Sequence, residues 1–202
     1  LGTDVIKDLT TDDMKEFSAT QVAALSTAQL GTLSSDQLSA LTTDALGALS
    51  AKQIQGLDAA NLSSDTISAL TAKQIAALTT TQLNAMDSDQ IGAISTSSIA
   101  SLTDAQIKGL NSANVEALTS DQAAALSAKQ LAGFSTDAIL GLETDDLATI
   151  GTAAIKGLTT SQIETLTTDQ VTALTSSQVQ ALSAKQIQAF TTDQIQHLNF
   201  GS

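Results

Sequence analysis

The chain has 202 residues and a formal net charge of −13, with no Pro, Cys, Trp, Tyr or Arg. That acidity argues against nucleic acid and anionic membrane surfaces, both of which require basic patches. The lack of cysteine excludes disulfides and thiol chemistry. A hydrophobic content of 42% is globular usage, so the narrow alphabet points to a repeat and not to disorder.

From the start, Leu9, Phe17, Leu25, Leu33, Leu41, Leu49 and Leu57 keep an eight-residue spacing that begins at Leu1. No leader peptide or membrane-length apolar run is visible, and a start at Leu1 reads as a mature product or an excised piece of a longer chain. At 57–61 the frame slips, because the block LDAAN lacks three positions. From Leu62 the count resumes through Leu70, Leu78 and Met86 to Leu198. No linker interrupts it, so residues 1–202 are expected to form one solenoid, with 57–61 its one candidate kink.

The consensus octad is Leu-Ser/Thr-x-x-Gln-Ile/Val-x-Ala, seen four times in succession from Leu166. Position 2 is nearly always Ser, Thr, Asp or Asn, the residues that best accept from a free backbone N–H at a helix start. Position 5 is Gln in 15 octads, three residues on, which completes the Ser/Thr-x-x-Gln capping box. Ser50 with Gln53, Thr71 with Gln74 and Ser183 with Gln186 are predicted to cap in this way. Positions 1 and 6 are aliphatic and form the hydrophobic staple, as in Leu49 with Ile54. Position 4 is often Asp, placed at the positive end of a helix dipole.

These signals predict one very short helix per octad. A continuous helix is excluded because its apolar stripe would rotate by roughly 80° every eight residues. A β-solenoid is the rival, since Thr, Ile and Val suit strands. It would need Gly, Asn or Asp at its corners, whereas Gly here falls at positions 7 and 8 in exchange with Ala. The expected fold is therefore an all-α solenoid whose helices survive only by burying neighbours' aliphatic residues, with Leu166, Val171, Leu174, Leu182 and Ile187 in the core.

Little in the chain carries chemistry. His197 is the sole histidine, too little for a zinc site or a catalytic triad, and no catalytic or cofactor residue is expected. Calcium is the one cation for which the Asp residues of position 4 offer ligands, but no EF-hand or calcium-roll motif is present. Those acids read better as dipole partners. Lys73, Lys129 and Lys185 recur at 56 residues in place of Asp, which suggests Lys meeting Asp on an adjacent coil. Leu198 and Phe200 lack a polar cap, so an end surface able to join copies head to tail is expected there.

The octad resembles the repeat tracts of large exported adhesin- or exoprotein-like proteins of Gram-negative bacteria. The resemblance implies an extracellular or cell-surface structural role, a rod, stalk or filament subunit, with no catalytic residues. A binding module for a peptide, glycan or calcium is the alternative, and a cytoplasmic setting remains compatible with the lack of cysteine.

Overall fold

The computed structural model describes residues 2–201; Leu1, at the head of the register, lies outside the described residues, as does Ser202. These residues form α-helices of four to six residues, one 3-10 turn and no strand. The fold is all-helical, and the β-solenoid is not supported. Two compact units are formed, Leu1–Leu102 and Thr103–Ser202.

In the first unit the opening coil holds α1 (Thr3–Lys7), α2 (Thr11–Lys15) and α3 (Ala19–Ala23). On it lie α4 (Thr27–Leu30), α5 (Ser35–Ser39) and α6 (Thr43–Gly47), each against the helix three before it. Then come α7 (Ala51–Gln55), the 3-10 turn Ala59–Asn61 and α8 (Ser64–Ala69). They are followed by α9 (Ala72–Ile75), α10 (Thr80–Asn84), α11 (Ser88–Gly92) and α12 (Thr96–Ala100). The short block therefore does not lose its side of the coil. α9 packs on α7, α10 on the 3-10 turn and α11 on α8, so three elements per turn are maintained across the slip.

The second unit begins with α13 (Asp104–Gly109), followed by the coil α14 (Ser112–Glu116), α15 (Ser120–Ala124) and α16 (Ala128–Gly133). The next coil is α17 (Thr136–Ile139), α18 (Thr144–Thr149) and α19 (Thr152–Ile155). It carries α20 (Thr160–Thr165), α21 (Thr168–Ala173) and α22 (Ser176–Ala181), and then α23 (Ala184–Ile187) and α24 (Thr192–Ile195). Again, from α16 onward, each helix rests on the third before it, as α17 on α14 and α21 on α18.

The helices start where the caps predict. Thr167, with φ −70° and ψ 159°, is extended, and its side chain accepts from the Gln170 N–H. They stop without a left-handed residue, since no described non-glycine residue has positive φ. Instead, the position-1 residue turns extended, as at Leu174 (φ −62°, ψ 123°). Its N–H closes the last turn on the Val171 carbonyl at 3.2 Å. The next cap follows at once, so one residue both ends a helix and points inward.

Positions 1 and 6 build the core. Val171 and Leu174 are 0% and 1% exposed, and Leu166 and Leu182 are also buried. Each such side chain contributes about 1.5–3 kcal/mol of burial, which single helices of one turn need in order to persist. Ile187, expected in this core, is only half-buried, because no later helix among the described residues packs on α23.

Candidate functional site

The most specific chemistry in the chain belongs to the position-5 glutamine. All three predicted boxes form. Ser50, Thr71 and Ser183 each accept from the backbone N–H of their glutamine, and Gln53, Gln74 and Gln186 each accept through Oε1 from the cap's own N–H at 2.9–3.0 Å. That accounts for one end of the amide. The other end was not anticipated from the sequence.

Gln170 Nε2 donates to the carbonyl oxygens of Ile139 at 3.1 Å and Leu142 at 2.8 Å. These oxygens lie where α17 ends and the chain crosses to α18. The Ile139 carbonyl also accepts from the Leu142 N–H at 3.2 Å, so the amide brings it a second donor at the end of the helix. Gln178 treats Leu147 and Ile150 alike, and Gln194 treats Ile163 and Leu166 alike. A single amide thus caps the N-terminus of its own helix and the C-terminus of a helix one coil earlier. We call this arrangement the glutamine clamp.

The partners of the clamp record the slip. Elsewhere it spans 31 and 28 residues, whereas Gln74 reaches Leu46 and Leu49, and Gln82 reaches Ile54 and Leu57, at separations of 28 and 25. The three missing residues shorten the loop, and the same two positions are still gripped. Gln90 then returns to the longer span through Ala59 and Leu62. Burial follows stacking. Gln37 is 6% exposed over the first coil, while Gln21, with no coil before it among the described residues, is exposed.

Where position 5 is small, the coils meet differently. Block 134–141 has Ala138 with Gly141, and block 150–157 has Ala154 with Gly157. A Cβ on Gly141 would stand 2.1 Å from the Ser112 carbonyl oxygen, and one on Gly157 2.0 Å from that of Ala128. Glycine is required at both positions by backbone contact with the coil beneath. Between these blocks, Asp146 occupies position 5. Its Oδ1 accepts from the Ser120 hydroxyl at 2.6 Å, and its buried Oδ2 has no hydrogen-bond partner.

The grooves between coils repeat in register. One of 640 Å³ is lined by Lys156, Thr159, Thr160, Ser183 and Lys185. A second, of 470 Å³, carries Glu143, Asp145 and Asp169, and a third, of 410 Å³, pairs Lys7 with Asp36. Positions 4 and 7, joined at Glu143 by position 2, therefore set the charge of these grooves. Lys129 meets Asp104 on the coil before it at 2.8 Å, the inter-coil pairing that the lysine spacing suggested. The Lys129 ammonium hydrogen bond holds the Asp104 carboxyl below its ordinary value of 3.8. Hydrogen bonds from the Thr10 hydroxyl and then the Thr10 N–H do the same for Asp13.

Among the described residues no three acids or histidines gather closely enough to hold a metal, and His197 is exposed. Leu198, expected on an apolar end surface, is buried, because it turns inward as the position-1 residues Leu166, Leu174, Leu182 and Phe190 do. Phe200 is 53% exposed, and Ile195 at 43% joins it there. No helix among the described residues is long and apolar enough to cross a membrane.

A search of curated proteins finds no match to the chain. The sequence profile of the ALTTAQ repeat matches residues 6–43, 92–128, 139–176 and 172–199, together more than half of the chain. Its six letters run from position 8 of one octad to position 5 of the next, as in Ala24-Leu25-Ser26-Thr27-Ala28-Gln29. The geometry explains that choice of letters: a small residue where coils touch, a core leucine, a capping hydroxyl and a clamping glutamine. The chain belongs to the ALTTAQ repeat family.

Proposed function

We propose that this chain is a non-enzymatic structural element, an extracellular or cell-surface rod or stalk of a bacterial adhesin- or exoprotein-like protein. Its coils stack on one another, either within a longer chain or head to tail between copies. The glutamine clamp carries this reading. The most elaborate side-chain chemistry present joins one coil to the next, and the same two carbonyls are offered at every turn. Such an interface is heterologous, and heterologous contacts propagate instead of closing. The exposed Ile195 and Phe200 supply apolar area for the next coil. The resemblance of the octad to exported repeat tracts supports the location, and the net charge of −13 supports solubility and argues against nucleic acid and membrane insertion as partners.

Negative-stain microscopy of the purified chain across a concentration series tests assembly. Long uniform fibres at high concentration are expected. Particles of one fixed length at every concentration would remove the self-assembling part of the reading and leave a spacer within a longer chain.

A second reading, a binding module for a peptide or glycan, is favoured by the grooves, whose charge varies from one to the next. Substitutions at positions 3 and 7, one octad at a time, separate the two. A scaffold tolerates all of them, and a binding module loses its ligand at particular octads.

A further inference from the structure

We propose that residues 134–157, the coil α17–α19, are a built-in opening point, the coil of the second unit that parts from its neighbours first. The inference goes beyond the structural role above and rests on local stability alone.

Several independent features converge on this one turn. Its position-5 residues are Ala138, Asp146 and Ala154, so for a full turn no glutamine reaches back to the coil beneath. In the first unit the exceptions Val5, Asp13, Ala45, Asn61, Thr66 and Ser98 never run to three octads in succession. The helix starts are also weak. α17 has a Ser135 cap but no capping box, and neither Glu143 of α18 nor Gly151 of α19 makes a side-chain cap. The coil that follows has a capping box on each of α20, α21 and α22, and a clamp from each of Gln162, Gln170 and Gln178. At the centre of the weak coil lies the unpartnered Asp146 Oδ2, a buried polar atom of the kind that native structures rarely leave unsatisfied.

Two hydrogen bonds join α18 to Ser120 beneath it, from the Ser120 hydroxyl to Asp146 Oδ1 at 2.6 Å and from the Thr149 hydroxyl to the Ser120 carbonyl at 3.1 Å, and beside them stands close backbone contact at Gly141 and Gly157. Such contact is short-ranged, and a gap of well under an ångström forfeits much of it. The two glycines also have more backbone freedom to regain on opening. The coil above grips α17 and α18 through Gln170 and Gln178, whereas no glutamine of this coil takes part on its lower face, against α14–α16. Segments with few satisfied caps and weak tertiary ties are those that open below the global unfolding limit.

Native-state hydrogen exchange on the full chain, read by mass spectrometry, tests this. Peptides from 134–157 are expected to exchange at least about tenfold faster than those from 158–181, the span of one lost cap per helix. Equal or slower exchange in 134–157 overturns the proposal. A second measurement uses Glu143→Ser with Gly151→Ser. A Cβ at Gly151 meets nothing within 4 Å, so the caps are restored without a clash. This variant is expected to slow exchange in 134–157 and leave 158–181 unchanged. No slowing, or equal slowing in both segments, would mean that the caps do not govern a local opening and would overturn it.

Discussion

Gln170 Nε2 lies 2.8 Å from the carbonyl oxygen of Leu142, a residue 28 positions earlier, while Oε1 of the same amide accepts from the Thr167 N–H at 3.1 Å. One planar group therefore ties a helix start to a helix end in the coil below. Because an amide has a donor and an acceptor end, it satisfies both kinds of orphan group at once.

Gln170→Glu separates the two roles. A carboxylate still accepts from Thr167 but presents a second acceptor to the Ile139 and Leu142 carbonyls. The capping box survives and the clamp does not. Taking the amide donor from the buried Leu142 carbonyl, and the second donor from that of Ile139, costs about 1–3 kcal/mol, so Gln170→Glu should lower the urea midpoint by at least as much as Gln170→Ala. Wild-type stability in the glutamate variant would show that the long-range bonds contribute nothing.

Ser183→Ala removes only a cap. The Ser183 side chain accepts from the Gln186 N–H, and the hydroxyl also donates to Gln186 Oε1 at 2.9 Å. The expected loss is about 1 kcal/mol, smaller than for the clamp variants. Adding Gln186→Ala should cost more than the cap alone, since Gln186 Nε2 also bonds Lys156 and Leu158. A melting temperature unchanged in the double variant would contradict both assignments.

The contrast between these variants marks how far the sequence could be read. Position 2 identified the cap, and positions 1 and 6 identified the core, because those signals act within eight residues. Ser50, Thr71 and Leu174 fall where local chemistry put them. The second bond of Gln170 spans about thirty residues, a distance that nothing in a single octad encodes. One hint was present: a capping box accepts Glu as readily as Gln, yet position 5 is never Glu. Only a role that needs the amide donor explains that exclusion. Three helices per turn, the inward turn of Leu198 and the half-burial of Ile187 also depend on which coil lies next, and so come from stacking.

Gly157→Ala tests the close approach. The added methyl would stand 2.0 Å from the Ala128 carbonyl oxygen, and backbone cannot yield as a flexible side chain would. Forcing the coils apart should cost about 1–3 kcal/mol. Gly151→Ser, six residues earlier, meets nothing within 4 Å at its Cβ and should be neutral or stabilising, because it adds a capping hydroxyl to α19. Thermal unfolding of the two variants side by side decides the matter. Equal behaviour would mean that the contact at Gly157 is not restrictive.

The remaining prediction concerns pH. The Lys129 ammonium hydrogen bond is the first cause of the lowered Asp104 titration. A carboxyl depressed on folding favours the folded state above its unfolded value, here the ordinary 3.8, and that contribution is lost as pH falls through the lower folded value. Both side chains are largely exposed, at 76% and 62%, so the pair adds little to stability, and the measurement is of the carboxyl itself. In Lys129→Gln the Asp104 side-chain resonance, followed by NMR from pH 6 to 2 in about 50 mM salt, should titrate at a higher pH than in the wild-type chain. Added salt should shift the wild-type midpoint upward by screening, and should move the variant less. If the midpoint in Lys129→Gln stays where it was, the hydrogen bond from α16 to the start of α13 does not hold in solution.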